Sequence, residues 1–260
     1  MPLNTLRVER TDGIVTVTFN RPDVLNAMNP EMAGELSRLF EEFEHDAAVR
    51  VIIFTGAGDR AFIAGADVKG FPALTPLEAL ETSRRFQSLF TRLERLPQPT
   101  IAAVNGFAFG AGCELIQACD LAIASENARF GQPEVNLGII PGAGGTQRLA
   151  RLVGLRRAKE ICMTGDIFDA REAYRLGLVN RVVPHDRLMP EARALAEKLA
   201  AKSPVTLRLL KQAIDEGYGL PLEAGLPLEA KAWAVAFATE DRTEGVAAFL
   251  EKRKAAFKGR

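Results

Sequence analysis

Glu114, in the run CELI, and Glu134, in PEVNLGII, are the side chains here best suited to moving protons. Both have apolar neighbours. A carboxylate in such company tends to hold a raised pKa, as an acid–base catalyst must. Both lie within Asn105–Gln147, which also carries two glycine-rich loops, Gly106–Gly112 and Gly142–Gly145. Glycine lets backbone come close to a ligand. A turn entering a helix leaves its first N–H groups without partners. One segment therefore offers donors for a developing oxyanion and two groups that transfer protons. Singly, these features are equally two tight turns and two surface glutamates; their conjunction favours a site.

Other chemistries find less support. The two histidines, His45 and His185, stand in polar joins away from the glycine loops. There is no HExxH, CxxC or GxSxG, so neither a metal centre nor a histidine-based triad is expected. The odd set Cys113, Cys119 and Cys162 lies in apolar segments and reads as buried free thiols. The 33 basic and 33 acidic side chains give no net charge, which argues against a nucleic-acid footprint. No apolar run reaches ~18 residues, so no membrane span is implied. The N-terminus has no apolar signal core, and the expected location is cytoplasmic.

The elements that must position the glutamates follow from periodicity. Leu6–Arg10 and Ile14–Phe19 alternate around Asp12-Gly13 as a hairpin. Asn29-Pro30 opens a helix whose apolar face is Met32, Leu36, Leu39, Phe40 and Phe43. Val49–Thr55 is a continuous apolar strand. Gly56–Ala61 then matches GxGxx[GA], but Gly65 falls where a dinucleotide site needs a helix, so the nucleotide reading is set aside. Thr75-Pro76-Leu77-Glu78 is a capping box starting a helix to about Leu96. Thr100–Val104 feeds the first glycine loop, Ala111–Ala118 reads as helix and Leu121–Ala124 as strand, which is βαβ grammar. From Asp186 onward the pattern is helical, with starts at Asp186, Ser203-Pro204 and Asp241-x-x-Glu244 and a break at Gly217-Tyr-Gly219. The basic tail EKRKAAFKGR reads as a solvated helix end.

Five segments together carry a likeness: RPDVLNAM (Arg21–Met28), FIAGADVK (Phe62–Lys69), NGFAFGAGCEL (Asn105–Leu115), FGQPEVNLGIIPGAGGTQRL (Phe130–Leu149) and TGDIFDAREAYRLGLVNRVV (Thr164–Val183). The chain resembles the enoyl-CoA hydratase/isomerase (crotonase) superfamily over nearly its whole length, the enoyl-CoA hydratases above all. The resemblance implies an α/β fold, a crotonase-like spiral of ββα units followed by a C-terminal helical region. Residues 1–195 would form the core with the active site, and 196–260 the helical trimerisation region.

The resemblance also implies roles. Backbone N–H groups of Ala66 and Ala111 would form an oxyanion hole, although the family usually has glycine where this chain has Ala111. Glu114 would activate water and Glu134 would handle the proton at C2, with the Gly142 N–H helping to hold the water. Leu25, Ala27, Ala64, Asp67 and Lys69 would surround coenzyme A, with Phe249 and Lys252 reaching a neighbouring subunit's nucleotide. Coenzyme A would be part of the substrate, with no separate cofactor and no metal. The expected assembly is a homotrimer or a homohexamer of paired trimers. Alternatives are an isomerase, or a branched- or aromatic-pathway hydratase, in the same family. From another class comes a non-catalytic acyl-CoA or RNA-binding scaffold, against which both glutamates and the zero net charge weigh.

Overall fold

The computed structural model describes residues 3–260. Two sheets share the chain turn by turn. The hairpin β1 (Leu6–Thr11) and β2 (Ile14–Phe19) leads through α1 (Pro30–His45) to β3 (Val51–Gly56) and β4 (Ala61–Ala64). Then α2 (Pro76–Glu94) leads to β5 (Thr100–Val104) and β6 (Phe107–Phe109), and α3 (Ala111–Ala118) to β7 (Leu121–Ser125) and β8 (Arg129–Gly131). Next come α4 (Gly145–Val153), α5 (Leu155–Thr164), β9 (Phe168–Asp169), α6 (Ala170–Arg175) and β10 (Arg181–Val183). The chain closes with α7 (Leu188–Ala200), α8 (Pro204–Tyr218), α9 (Leu222–Phe237) and α10 (Glu240–Leu250).

The larger sheet runs β1-β2-β3-β5-β7-β10 and the smaller β4-β6-β8-β9. Only the β1–β2 and β8–β9 pairs are antiparallel. After the hairpin, the pairs β3–β4, β5–β6 and β7–β8 each lay one strand in the large sheet and the next in the small one, then cross by a helix.

Sequence periodicity accounts for the packing. β3 is buried along its whole length because both faces of the large sheet are covered. On one face, Phe19, Phe40, Phe54 and Phe62 pack with Met32 and Leu36. On the other, Ile14, Val51, Ile53, Ile101 and Ile123 meet Leu188, Ala192 and Ala196 of α7. That layer therefore extends through α7, past residue 195. Beyond it, α8 and α9 pack on each other with no fully buried residue, leaving Trp233 66% exposed.

Several sequence expectations need correction. Asp186 does not cap α7, which follows Arg187 without a side-chain cap. Thr239 caps α10 in place of Asp241, its hydroxyl accepting from the Arg242 amide. Asp241 is instead buried and accepts the Lys258 and Gly259 amides. The basic tail is thereby folded back beyond the helix end, which explains why it is not a solvated helix terminus. Gly56 ends β3 and β4 follows, so no helix meets the GxGxx[GA] turn. Of the three free thiols only Cys113 is fully buried.

Candidate active site

Strand register brings the two oxyanion candidates together. β4 and β6 are parallel, with Ala64 opposite Phe109. Two residues further on stand Ala66 and Ala111, each after a glycine at positive φ: Gly65 at +100° and Gly110 at +48°. Those angles exclude most side chains. A Cβ added to Gly110 would lie 3.8 Å from the Gly65 Cα, so the two turns touch. Ala111 is the first residue of α3, where an N–H has no intrahelical acceptor. Among the described residues, neither the Ala66 nor the Ala111 N–H finds an acceptor. The methyl of Ala111 is buried in the helical turn, so alanine in place of glycine leaves the amide where the turn puts it.

Glu114 lies one turn into α3 and is buried. Its Oε1 accepts two backbone N–H bonds at 2.8 Å, from Ala143 and Gly145 of the second glycine loop. Burial pushes its pKa up, and the two amides and the Arg148 charge oppose that rise. Gly145 is required here: a Cβ would fall 2.9 Å from the Glu114 Oε1 and 2.6 Å from the Gln132 amide. Glu134 sits in the short 3-10 turn Pro133–Leu137, half-buried. Burial, with a smaller contribution from the Glu114 charge, pushes its carboxyl up to about 7. A Cβ on Gly110 would lie 2.9 Å from the Glu134 Oε1, which puts this carboxylate against the oxyanion turn.

Gln132 links Glu134 to Gln117 of α3. Its amide donates to both oxygens of Glu134, at 3.1 and 3.2 Å, and accepts from Gln117 Nε2 at 3.0 Å. Sequence reasoning passed over it, although a glutamine inside an otherwise apolar strand end, FGQPE, was the available signal. It also passed over the exposed apolar lip after Glu134, where Ile140 is 75% exposed beside Leu137 and Ile139.

Around the first turn, Leu25, Ala27, Ala64, Asp67 and Lys69 come into one neighbourhood. Ala64 N donates to Leu25 O, and Arg21 donates to Ala27 O and pairs with Asp67 at 3.2 Å. Hydrogen bonding from Arg21 holds the Asp67 carboxyl below its usual range. Asp67 also caps the turn Val68–Ala73 by accepting from the Lys69 amide. Phe249 and Lys252 do not join this group: Phe249 lies in the last turn of α10, which packs against α9, and is 82% exposed, and Lys252 follows the helix end. Gly142 lies beside Ala143, and its carbonyl accepts from Ser83 and Gln87. Among the described residues, no cluster of three or more His, Cys, Asp or Glu is placed to hold a metal ion.

The arrangement can polarise a carbonyl oxygen with two fixed amides while presenting two carboxyls whose pKa burial raises. The chain as a whole is similar to known proteins. The family model described as enoyl-CoA hydratase/isomerase matches residues 9–260. The chain is 45% identical over 254 residues to a short-chain-enoyl-CoA hydratase of Clostridium acetobutylicum, covering 98% of this chain and 97% of that protein. It is 44% identical over 257 residues to a crotonyl-CoA hydratase of Syntrophomonas wolfei, covering 99% of each. A crystal structure of an enoyl-CoA hydratase from Bacillus anthracis superposes with a TM-score of 0.96 at 41% identity, covering 99% of this chain and 100% of that one. With its fold, its paired glycine turns and nearly its full length matched, this chain belongs to the enoyl-CoA hydratase/isomerase family.

Proposed function

We propose that this protein adds water across the C2–C3 double bond of a short trans-2-enoyl-CoA, giving the 3-hydroxyacyl-CoA. The observation that carries the reading is the meeting of two free amides, at Ala66 and Ala111, with two carboxyls of raised pKa. The thioester oxygen accepts from both amides, which stabilises the enolate formed when C3 is attacked. Glu114, its Oε1 already occupied by two amides, keeps Oε2 for the water and takes its proton as the oxygen bonds to C3. Glu134, held near neutrality, gives its proton to C2 as the enolate collapses. The proton from water restores the pair, so each turnover is balanced without a cofactor. We take both acids to act from one side of the double bond, which makes the addition syn.

Coenzyme A enters as part of the substrate. Leu25, Ala27, Ala64, Asp67 and Lys69 line its approach, and Lys69 supplies a point charge for a phosphate. The Gly142 N–H is a further donor beside the water. The short-chain assignment follows from the two relatives named for short and crotonyl substrates. The exposed apolar faces of α8 to α10 are the surface on which a homotrimer, and from it a homohexamer, would form, bringing Phe249 and Lys252 to a neighbour's nucleotide. Among the described residues no helix is long and apolar enough to cross a membrane, and we assign the protein to the cytoplasm.

Crotonyl-CoA is the test substrate. The protein should bleach the absorbance of the conjugated thioester, and Glu114→Gln and Glu134→Gln should each slow this by about 10²–10⁴-fold, the range of general acid–base catalysis. Unchanged absorbance with the unaltered protein would overturn the reading.

A further inference from the structure

One stripe of α2 is polar where it meets the second glycine loop. Ser83, Gln87, Thr91 and Glu94 fall within an arc of about 80° at 100° per residue. They lie beside the apolar stripe Leu89, Phe90 and Leu93 that anchors the helix. Two of them bond the loop directly, and the other two reach it through Arg148 of α4. Ser83 Oγ donates to the Gly142 carbonyl at 2.6 Å. Gln87 Nε2 donates to the same carbonyl at 3.0 Å and to Ser83 Oγ at 3.1 Å. Thr91 and Glu94 accept from Arg148, whose Nη1 donates to the Ala143 carbonyl at 3.1 Å.

The target of the first pair is informative. Gly142 lies in irregular backbone, with no helix or strand ladder to take its carbonyl. Its C=O and the Ala143 N–H are the two ends of one peptide unit. That unit is planar and trans, so fixing the oxygen fixes the direction of the N–H. The N–H donates to Glu114 Oε1 at 2.8 Å. Two donors on the carbonyl also polarise the peptide and strengthen its N–H as a donor.

We propose that Ser83 and Gln87 are positioning residues for the hydration reaction, splinting the Gly142–Ala143 peptide so that it orients the carboxylate of Glu114 toward water. The proposal rests on the hydratase reading of Glu114. Neither side chain is buried, so their removal does not open the core. Both act through the loop and do not touch the reacting atoms.

The experiment compares the parent with Ser83→Ala/Gln87→Leu and with Ser83→Thr, which keeps a hydroxyl. The double variant should lose about 10-fold in kcat, the scale of one to two neutral hydrogen bonds. Its KM for crotonyl-CoA should stay within about twofold, because uniform binding is untouched. The rising acid limb of its kcat/KM profile should move to higher pH, since a misaligned amide no longer favours ionised Glu114. Ser83→Thr should keep the parent limb. A double variant with parental kcat and an unmoved limb would overturn the proposal. So would a joint change of kcat and KM with an unmoved limb, which a merely loosened helix would give. A parent without hydratase activity would refute the reaction and still leave the splint measurable. The infrared carboxyl band that Glu114→Gln removes should titrate at higher pH in the double variant, and an unchanged midpoint would overturn the splint.

Discussion

Replacing Glu134 by glutamine should cost the reaction and strengthen the fold, in a pH-dependent way. Burial first, and the Glu114 charge second, push this carboxyl from 4.5 up to about 7. An acid whose folded pKa is raised holds its proton more tightly in the native state than in the unfolded one. Between about 4.5 and 7 the native state therefore binds more protons, so stability falls as pH rises through that window, and above it the contribution of this carboxyl is fully lost. The separation of about 2.5 pH units, at 1.36 kcal/mol each, sets a ceiling of roughly 3 kcal/mol. Glu134 is only half-buried, and solvent screening brings the expected figure to about 1–2 kcal/mol. Glutamine keeps the shape and an acceptor for Gln132 but cannot ionise. Glu134→Gln should match the parent at pH 5 and exceed it at pH 8, by ~3–6 °C in unfolding midpoint for a chain of this size. Circular dichroism melts at matched protein concentration read this directly, since assembly also shifts midpoints. An equal difference at both pH values, or a less stable variant at pH 8, would refute the reasoning.

Three further outcomes follow from the geometry. Ala111→Pro deletes one candidate oxyanion donor at a helix position that tolerates proline, so turnover of crotonyl-CoA should fall about 10²–10³-fold while the circular dichroism spectrum stays parental. Gly110→Ala would put a methyl 2.9 Å from the Glu134 Oε1 at a φ of +48°. It should lower the unfolding midpoint, by roughly 1–2 kcal/mol of stability, and displace Glu134, seen as a lost basic limb in the pH–rate profile. Trp233→Arg, on the exposed face of α9, should shift the protein to smaller species in sedimentation velocity, and an unchanged distribution would show that this face is not an interface.

Much of the site was legible because its signals are local. The strand-to-turn runs ending at Ala66 and Ala111, and the acids Glu114 and Glu134, announce themselves by glycine spacing and apolar neighbours. The same holds for the Thr75 and Asn29 caps, each bonded to an amide within the next three residues. What the sequence hid is long-range. Ser83 and Gln87 meet Gly142 across 59 and 55 residues, and nothing in ETSRRFQSLF distinguishes their stripe from an ordinary solvated face. Asp241 had the look of a helix cap, but Thr239 competes for that position and the returning tail takes the carboxylate. Gln132 was readable only as a polar residue out of place, and its meaning depends on Glu134 and Gln117, which the fold brings to it.

Hydration of crotonyl-CoA in D₂O, followed by NMR of the product, tests the central geometry most directly. The account predicts one deuterium at C2, added to the same face as the hydroxyl at C3, because both carboxyls address one side of the double bond. A product with the two groups on opposite faces, or a shifted double bond with no hydroxyl at C3, would contradict it.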